Sequence, residues 1–445
     1  MYKTFSFAAL FSVILVAAVR AEDPAAAPVG DAAIGRWVEQ LGDNDYRKRD
    51  EASQALRDAG ARALPALRKA LTHPDAEVRR RVNDLLPAIE TAVLLAPKRV
   101  TFKTVNKPVK AAFDELMRQT GYQIEYNVND PNQTYSFDFR DTPFWEAVEK
   151  ISRATGLALQ QGYGDDHVRL YPQDAYAPYV VTQGAFRFTA TGFNQNKNID
   201  FGLVGRAGQQ QTRNETLTLN FSVFVEPKLA LLGVGEVHVE AAYDNEKNSM
   251  LPPVNNVDFI NNPWTARRFV AGKYGNGNRM YSMQTQVNLQ RPSDRVTGLK
   301  VIRGALPVTL LIDQKAVVVT DKVLEAKGTK AKVGDTQINI DEVTETPAKQ
   351  YQIKMSVTED QKDNPNDYSW TNSLYQRIEV LDEKGNKMQI YGSQWNNSSA
   401  NHVDMTLTYG SVGGAKPEPP AKLIYHTWTT EQHLIPFEFK DLPLP

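Results

Sequence analysis

The chain has 445 residues, of which 41% are hydrophobic and 23% are charged, and its formal net charge is -1. This composition is that of a globular protein and excludes wholesale disorder, while the length exceeds what one hydrophobic core supports. The near-zero net charge argues against a chain built to bind nucleic acid or an anionic membrane. The absence of cysteine excludes disulfides, thiol nucleophiles and thiolate metal sites.

The N-terminus predicts export. Residues 1–21 place Lys3 before an apolar run, 5–19, and end in small residues of the kind that a signal peptidase reads. As a helix this run would span only about 22 Å, which is less than the ~30 Å hydrocarbon core of a bilayer. We predict a signal peptide over 1–21, a flexible leader over 22–31 and a periplasmic or cell-envelope location, with no membrane span in the mature chain. An uncleaved anchor is the alternative.

Residues 32–96 match themselves at an offset of thirty. The matching positions are Leu41 and Leu71, Asp45 and Asp75, Arg49 and Arg79, Ala52 and Val82, and Leu56 and Leu86. Each aspartate lies where a helix N-cap is preferred, and apolar residues then recur at helical spacing. The segment resembles short HEAT-like repeats, but it has about two helical hairpins where a solenoid needs about three or more. We predict either a helical adaptor packed on the next domain or a docking module for a partner.

Three consecutive arginines, Arg79 to Arg81, lie in the second of these repeats. Such a run can form a phosphate-binding patch. Glu77 and Asp84 lie at helical spacing from it, however, so we predict a solvated helix face with ion pairs instead.

A second internal repeat, at an offset of thirty-five, occupies residues 97–175. "RVTFKTVNKP" and "QTYSFDFRDTP" alternate like strands, whereas "VKAAFDELMRQTG" and "FWEAVEKISRATG" have the period of amphipathic helices. Pro108 matches Pro143 where a helix begins, and Gly121 matches Gly156 where a helix ends. The pattern predicts a compact domain of duplicated βαβ type, with Trp145 in its core.

The stretches "FDFRDTPFWEAVEKISRATGLAL" and "HVRLYP" carry a further resemblance. Over about residues 98–173 the chain resembles the short N-terminal domain shared by secretins and TonB-dependent receptors. The resemblance implies a protein-interaction module on the envelope side. Those families continue into a membrane barrel of roughly ten-residue lipid-facing strands. This chain continues with long polar loops, so we predict that the module is attached to a soluble region.

From residue 176 onward the sequence predicts strands and almost no helix. Two groups of apolar-alternating runs, bounded by Gly, Pro, Asn or Asp, predict two mainly antiparallel β-sandwiches of immunoglobulin-like architecture, 176–326 and 327–445. The expected fold class is therefore multidomain α+β, with a small HEAT-like helical segment, a secretin-type domain of duplicated βαβ units and two sandwiches.

Catalytic motifs are missing from the sequence. It contains no G-x-S-x-G elbow, no Walker loop and no H-E-x-x-H pair. His426 and His433 are expected on consecutive strands, but no third ligand accompanies them, so no metal site is predicted. We assign no catalytic residue and no cofactor.

The best candidate for recognition is the long insertion 252–283. An exposed loop that combines aromatic and arginine side chains on a rigid scaffold is a common recognition device. The candidate binding residues are Trp264, Arg267, Arg268, Tyr274, Arg279 and Tyr281. Anchoring of the loop in the core is the alternative use of the same aromatic residues.

The sequence favours a non-enzymatic, exported cell-envelope protein that acts as a scaffold or binding module. Its partner would be an envelope protein or a wall polymer, and no nucleic acid is expected. The alternative is a hydrolase of envelope polysaccharide, with acidic residues in the sandwich loops. Two carboxyl groups about 5–10 Å apart in a cleft would favour hydrolysis. Polar sheet surfaces, with aromatic residues exposed only in the 252–283 loop, would favour binding.

Overall fold

The computed structural model describes residues 30–160, 167–173, 177–200, 212–252, 279–291, 293, 295–348, 350–360, 367–410 and 418–445. The predicted signal peptide and most of the leader lie outside these residues, as does most of the 252–283 insertion. The fold is mixed α+β and mostly β, with several antiparallel sheets. The chain divides into two compact units between Ala96 and Pro97.

The first unit is helical. Its elements are α1 (Asp31–Gln40), α2 (Tyr46–Ala59), a 3-10 turn (Gly60–Ala63), α3 (Leu64–Ala70) and α4 (Ala76–Leu95). The apolar residues that recur at helical spacing form one buried cluster, in which Leu41, Leu56, Leu67 and Val82 are fully buried. Burial of this shared face holds the helices together, because short helices are marginal in water by themselves.

The thirty-residue repeat extends to individual hydrogen bonds. Asp45 accepts a bond from the N–H of Arg47 at 2.9 Å, and Asp75 accepts one from the N–H of Glu77 at 2.7 Å, so both predicted N-caps are confirmed. Arg49 and Arg79 each donate from Nη1 to the two backbone carbonyls that precede the cap, at 2.5–3.1 Å. A cap of this kind stabilises a helix by about 1 kcal/mol.

The arginine run lies on a face with ion pairs, as predicted. Arg80 and Arg81 contact the Glu77 carboxylate at 2.7 and 2.9 Å, and Arg80 also lies 3.9 Å from Asp84. Hydrogen bonds from the two guanidinium groups lower the pKa of Glu77 to about 2. The guanidinium groups of Arg80 and Arg81 are therefore not a free anion-binding patch.

The second unit begins with an α/β region. Its elements are β1 (Arg99–Pro108), α5 (Val109–Thr120), β2 (Gln123–Tyr126), β3 (Thr134–Pro143), α6 (Phe144–Thr155), β4 (Leu157–Leu159) and β5 (His167–Pro172). β1 pairs antiparallel with β3, while β5 lies between β2, to which it is parallel, and β4.

The order strand, helix, strand occurs twice in this region. Pro108 and Pro143 directly precede the two helices, and the two predicted glycines that end the helices have φ of 76° and 71°. Asn106 and Asp141, also thirty-five residues apart, have φ of 48° and 45°. Asn and Asp tolerate this left-handed conformation better than other non-glycine residues.

The rest of the second unit is mostly β. Its elements are β6 (Val180–Gln183), β7 (Phe186–Asp200), β8 (Thr212–Val225), β9 (Ala230–Val234), β10 (His238–Asp244), β11 (Ser282–Leu289), β12 (Gly298–Thr320), a 3-10 turn (Val323–Glu325), β13 (Lys330–Val333), β14 (Thr336–Glu345), β15 (Tyr351–Glu359), α7 (Ser369–Arg377), β16 (Ile378–Asp382), β17 (Gln389–Ser398), β18 (His402–Gly410) and β19 (Pro420–Pro443).

These strands form three sheets. Their orders are β11-β8-β7-β6, β10-β12-β19-β16 with β9 on β12, and β13-β14-β15-β18-β17. The first sheet faces the C-terminal half of β19, where the Phe221 ring lies 5.2 Å from Phe437 and 5.9 Å from Phe439. The third sheet shares a second core with α7, β16 and the N-terminal half of β19.

Two expectations about this region are wrong. α7 is a helix where almost none is predicted, and it is held by burial of Trp370 and Leu374. β12 and β19 are continuous strands of 23 and 24 residues. The sequence instead predicts two strands in each place, over 305–312 and 315–320 in β12 and over 422–429 and 435–441 in β19. The polar residues around Asp313 and Thr430 resemble a turn in sequence, yet they pair within an exposed two-stranded ribbon.

The length of β19 has two consequences. Its last residues pair with the start of β12, so the C-terminus lies in the same sheet as a strand from before residue 326. His426 and His433 lie on this one strand, not on consecutive strands as expected. At ~3.3 Å per residue they are roughly 23 Å apart, which is too far for a shared ligand.

Candidate functional site

Trp145 connects the α/β region to the first sheet, β11-β8-β7-β6, through packing and one hydrogen bond. Its side chain is 2% exposed, and its Nε1–H donates to the carbonyl oxygen of Ala185 at 3.1 Å. The indole also lies edge-on to Phe224 of β8, with 6.4 Å between ring centroids. The predicted core position of Trp145 is confirmed, and the residue additionally ties α6 to the β-rich region.

Glu226, directly after β8, makes a second connection. It is 0% exposed, and its carboxylate accepts bonds from the backbone N–H of Lys98 at 3.0 and 3.1 Å and from the Tyr122 hydroxyl at 2.7 Å. Burial raises the pKa of Glu226, and the two donors partly oppose this effect. Trp145 and Glu226 together fix the α/β region against one end of the sheet.

A polar groove remains open on the rest of that sheet face. We call it the outer-face groove. It has a volume of about 720 Å³, within the range of ~300–1,000 Å³ typical of ligand sites. Its lining residues, drawn from β7, β8 and β11, are Thr191, Gly192, Phe193, Asn194, Asn220, Phe221, Gln284, Thr285 and Gln286.

Strand alternation explains the chemistry of the outer-face groove. On β8, Leu219, Phe221 and Val223 are fully buried in the core, whereas Asn220 between them faces outward. Because neighbours across strands share a face, the outward positions form rows of uncharged polar residues. The rows are Asn194–Thr218–Asn288, Gly192–Asn220–Gln286 and Thr189–Ser222–Gln284.

A smaller cavity of about 200 Å³ adjoins the outer-face groove, and Thr191 lines both. In it, the buried Arg187 donates to the Glu149 carboxylate at 2.9 Å and to Thr189 Oγ1 at 2.6 Å. Glu149 also accepts from Arg153 at 3.0 Å. Burial lowers the pKa of Arg187, and the Glu149 charge opposes that shift. The single carboxylate of this cavity is therefore held by two guanidinium groups.

The predicted binding residues are only partly within the described chain. Trp264, Arg267, Arg268 and Tyr274 lie outside it. Arg279 donates its backbone N–H to Gln376 of α7 and lines a cavity of about 310 Å³ that Asp313 also lines. Tyr281 is half-buried, and its carbonyl accepts a bond from the N–H of Val225 at 2.9 Å. Arg279 and Tyr281 line different cavities.

The residues of the outer-face groove are absent from the predicted site. A local signal was nevertheless present, because "TLTLNFSV" and "SMQTQVNLQ" alternate apolar residues with Thr, Asn and Gln and contain no charge. This alternation predicts a strand with an uncharged outer face. Nothing in either stretch indicates that the two strands are neighbours.

Neither a metal cluster nor a membrane-spanning helix occurs among the described residues. Across the described ranges, no group of three or more His, Asp or Glu side chains is placed to hold a metal ion. Of the helices in the described part of the chain, none has both the length and the apolar character needed to cross a bilayer.

Comparison with known proteins adds no information about function. No family model matches the chain, and no curated protein matches it at a significant level. The helical-repeat and secretin-type resemblances therefore stay predictions from the quoted residues. A function is therefore inferred from the geometry of the cavities.

Proposed function

We propose that this chain is a non-enzymatic, exported protein of the cell envelope that binds an envelope component at the outer-face groove. The outer-face groove is the main support for this proposal. It is large, it lies on a rigid sheet, and amide and hydroxyl groups from three strands converge on it. Convergent polar groups in a pre-formed concavity are typical of a ligand site.

The distribution of carboxylates favours binding over hydrolysis. Glycoside hydrolysis needs two carboxyl groups on either side of the scissile bond. The lining of the outer-face groove contains no acidic residue, and the adjoining cavity contains only Glu149. The cavity beside Arg279 also contains a single acidic residue, Asp313.

The proposed roles of the domains are those that the sequence predicts. Residues 32–96 would be a HEAT-like adaptor or docking module, and 97–175 a secretin-type interaction domain. The three sheets would form two immunoglobulin-like sandwiches that share β12 and β19. Trp145 and Glu226 hold the α/β region beside the first sheet, where α6 lines the cavity that adjoins the outer-face groove. Export depends on the predicted signal peptide, 1–21.

Cosedimentation with insoluble envelope material tests the proposal. The wild-type protein should be retained, and the double variant Asn220→Ala/Gln286→Ala should bind about tenfold or more weakly. Each substitution removes an amide and leaves its ligand partner unpaired, which costs about 1–3 kcal/mol per group, and about 1.4 kcal/mol is tenfold in affinity.

Gln337→Ala is the matched control, since Gln337 is an exposed strand amide on the third sheet. Its retention should equal that of the wild type. Equal retention of the groove variant would place the ligand site elsewhere, and no retention of the wild type would contradict an envelope-binding function. Release of soluble sugar from the sedimented material would support the hydrolase instead.

A further inference from the structure

The outer-face groove contains no charged side chain, and this limits its ligands. Its exposed polar groups are the side chains of Thr191, Asn194, Gln284 and Gln286, with Asn220 half-exposed between them. An ionic ligand would lose its hydration there without gaining an opposite charge, which is unfavourable. A nucleic acid would in addition need lysine or arginine to neutralise its phosphates.

An extended peptide is also a poor match. Peptides that add to a sheet do so at an open edge, where unpaired backbone groups are available. The central row of the outer-face groove runs from Gly192 on β7 through Asn220 on β8 to Gln286 on β11, so β8 is paired on both sides. The middle of the groove, over β8, therefore offers side chains and not backbone groups.

The side chains match closely spaced hydroxyl groups. A primary amide presents a donor and an acceptor together, and a hydroxyl is both donor and acceptor, so amides pair well with vicinal hydroxyls. Residues opposite each other on neighbouring strands have Cβ atoms about 4.5–5.5 Å apart. Asn220 and Gln286 are opposite each other, as are Asn194 and Thr218. Amide and hydroxyl groups therefore recur in the groove both along each strand and across neighbouring strands.

The floor of the outer-face groove is open. A Cβ atom at Gly192 would meet no heavy atom within 4 Å, so space is free above the middle of β7. The two aromatic residues of the lining belong to the inner face of the sheet, because Phe221 is fully buried and Phe193 pairs with the fully buried Leu219. The outer face therefore offers a ligand mainly amide and hydroxyl groups, which pair with the hydroxyl groups of a sugar.

From this geometry we propose that the ligand of the outer-face groove is an uncharged polysaccharide chain. This inference rests on the proposed envelope-binding function and names its ligand class. The amides of Asn194, Asn220, Gln284 and Gln286 bind the sugar hydroxyls, while the ion pair of Arg187 with Glu149 lies in the adjoining cavity beside α6.

Titration calorimetry on the full chain tests the ligand class, with cellohexaose and hexa-N-acetylchitohexaose as uncharged probes and a hexagalacturonate as the acidic probe. At least one uncharged probe should bind and should displace the protein from envelope material. Asn220→Ala/Gln286→Ala should weaken that binding about tenfold or more, and Gln337→Ala should leave it unchanged. Binding should also stay within about twofold between about 50 and 500 mM salt, because no counterion is released.

Two results would overturn the inference and leave the proposed function standing. One is binding of the acidic probe alone, with affinity that falls as salt rises. The other is retention on envelope material that depends on the groove residues, although neither uncharged probe binds or competes. Loss of groove-dependent retention itself would instead remove the proposed function. Unchanged circular dichroism of the groove variant excludes misfolding as the cause of any loss.

Discussion

Trp145→Ala is expected to lower the stability of the second unit by about 3–5 kcal/mol, the usual cost of truncating a buried tryptophan to alanine. The side chain fills the junction between α6 and β8, and its loss also removes one of two donors to the Ala185 carbonyl, which keeps the bond from the N–H of Glu226 at 2.9 Å. The denaturant midpoint of the 97–445 unit should fall, while the midpoint of the helical unit stays constant, because the substituted residue lies outside that compact unit.

Trp145→Phe separates packing from hydrogen bonding in this experiment. It keeps an aromatic ring and removes the Nε1–H donor, so its cost should be smaller, about 0.5–1.5 kcal/mol for one lost hydrogen bond. A loss below about 1 kcal/mol for Trp145→Ala, in the range of an ordinary surface change, would contradict the anchoring role.

Glu226 is expected to make stability depend on pH. Because burial raises its pKa above the ordinary value of 4.5, the folded protein holds this proton more tightly than the unfolded chain does. The stabilisation of the fold by the protonated carboxyl group is fully present below about pH 4.5. It is lost as the pH rises through the raised pKa that this group has in the folded protein. Each unit of difference between the two pKa values is worth about 1.4 kcal/mol.

Two substitutions test the role of Glu226. Glu226→Gln keeps an acceptor for Tyr122 and Lys98 but cannot ionise, so its stability relative to the wild type should rise as pH increases from about 4.5. Glu226→Ala should be destabilising at all pH values, by about 1–3 kcal/mol for each buried donor left unpaired. Parallel pH profiles for the wild type and Glu226→Gln, measured by denaturant unfolding, would contradict the prediction.

Features set by a few adjacent residues could be predicted from the sequence. The N-caps at Asp45 and Asp75 and the helix starts after Pro108 and Pro143 are of this kind. Their physical cause is local, because a cap or a helix start depends on one side chain and the nearby backbone. Because each of these stretches is repeated in the sequence, a cap or helix start recognised in one copy also predicted the same feature in the other copy.

Features set by distant pairing could not be predicted in the same way. α7 has nine residues and depends on burial of Trp370, whose Nε1–H donates to Tyr425 of β19 at 3.1 Å. The continuity of β12 and β19 depends on pairing between polar residues that resemble turns in sequence. For the outer-face groove, alternation reveals an uncharged face, but the pairing of Asn220 with Gln286 spans 66 residues.

Photocrosslinking shows whether the envelope ligand occupies the outer-face groove. A photoreactive side chain would replace Gln286 in the groove, Gln337 on the third sheet or Gln40 on α1, each in the full chain mixed with envelope material. All three positions are exposed. We expect covalent adducts with envelope polymer from position 286 and none from 337 or 40. Adducts from position 40 without any from 286 would contradict binding in the outer-face groove and place recognition on the helical unit.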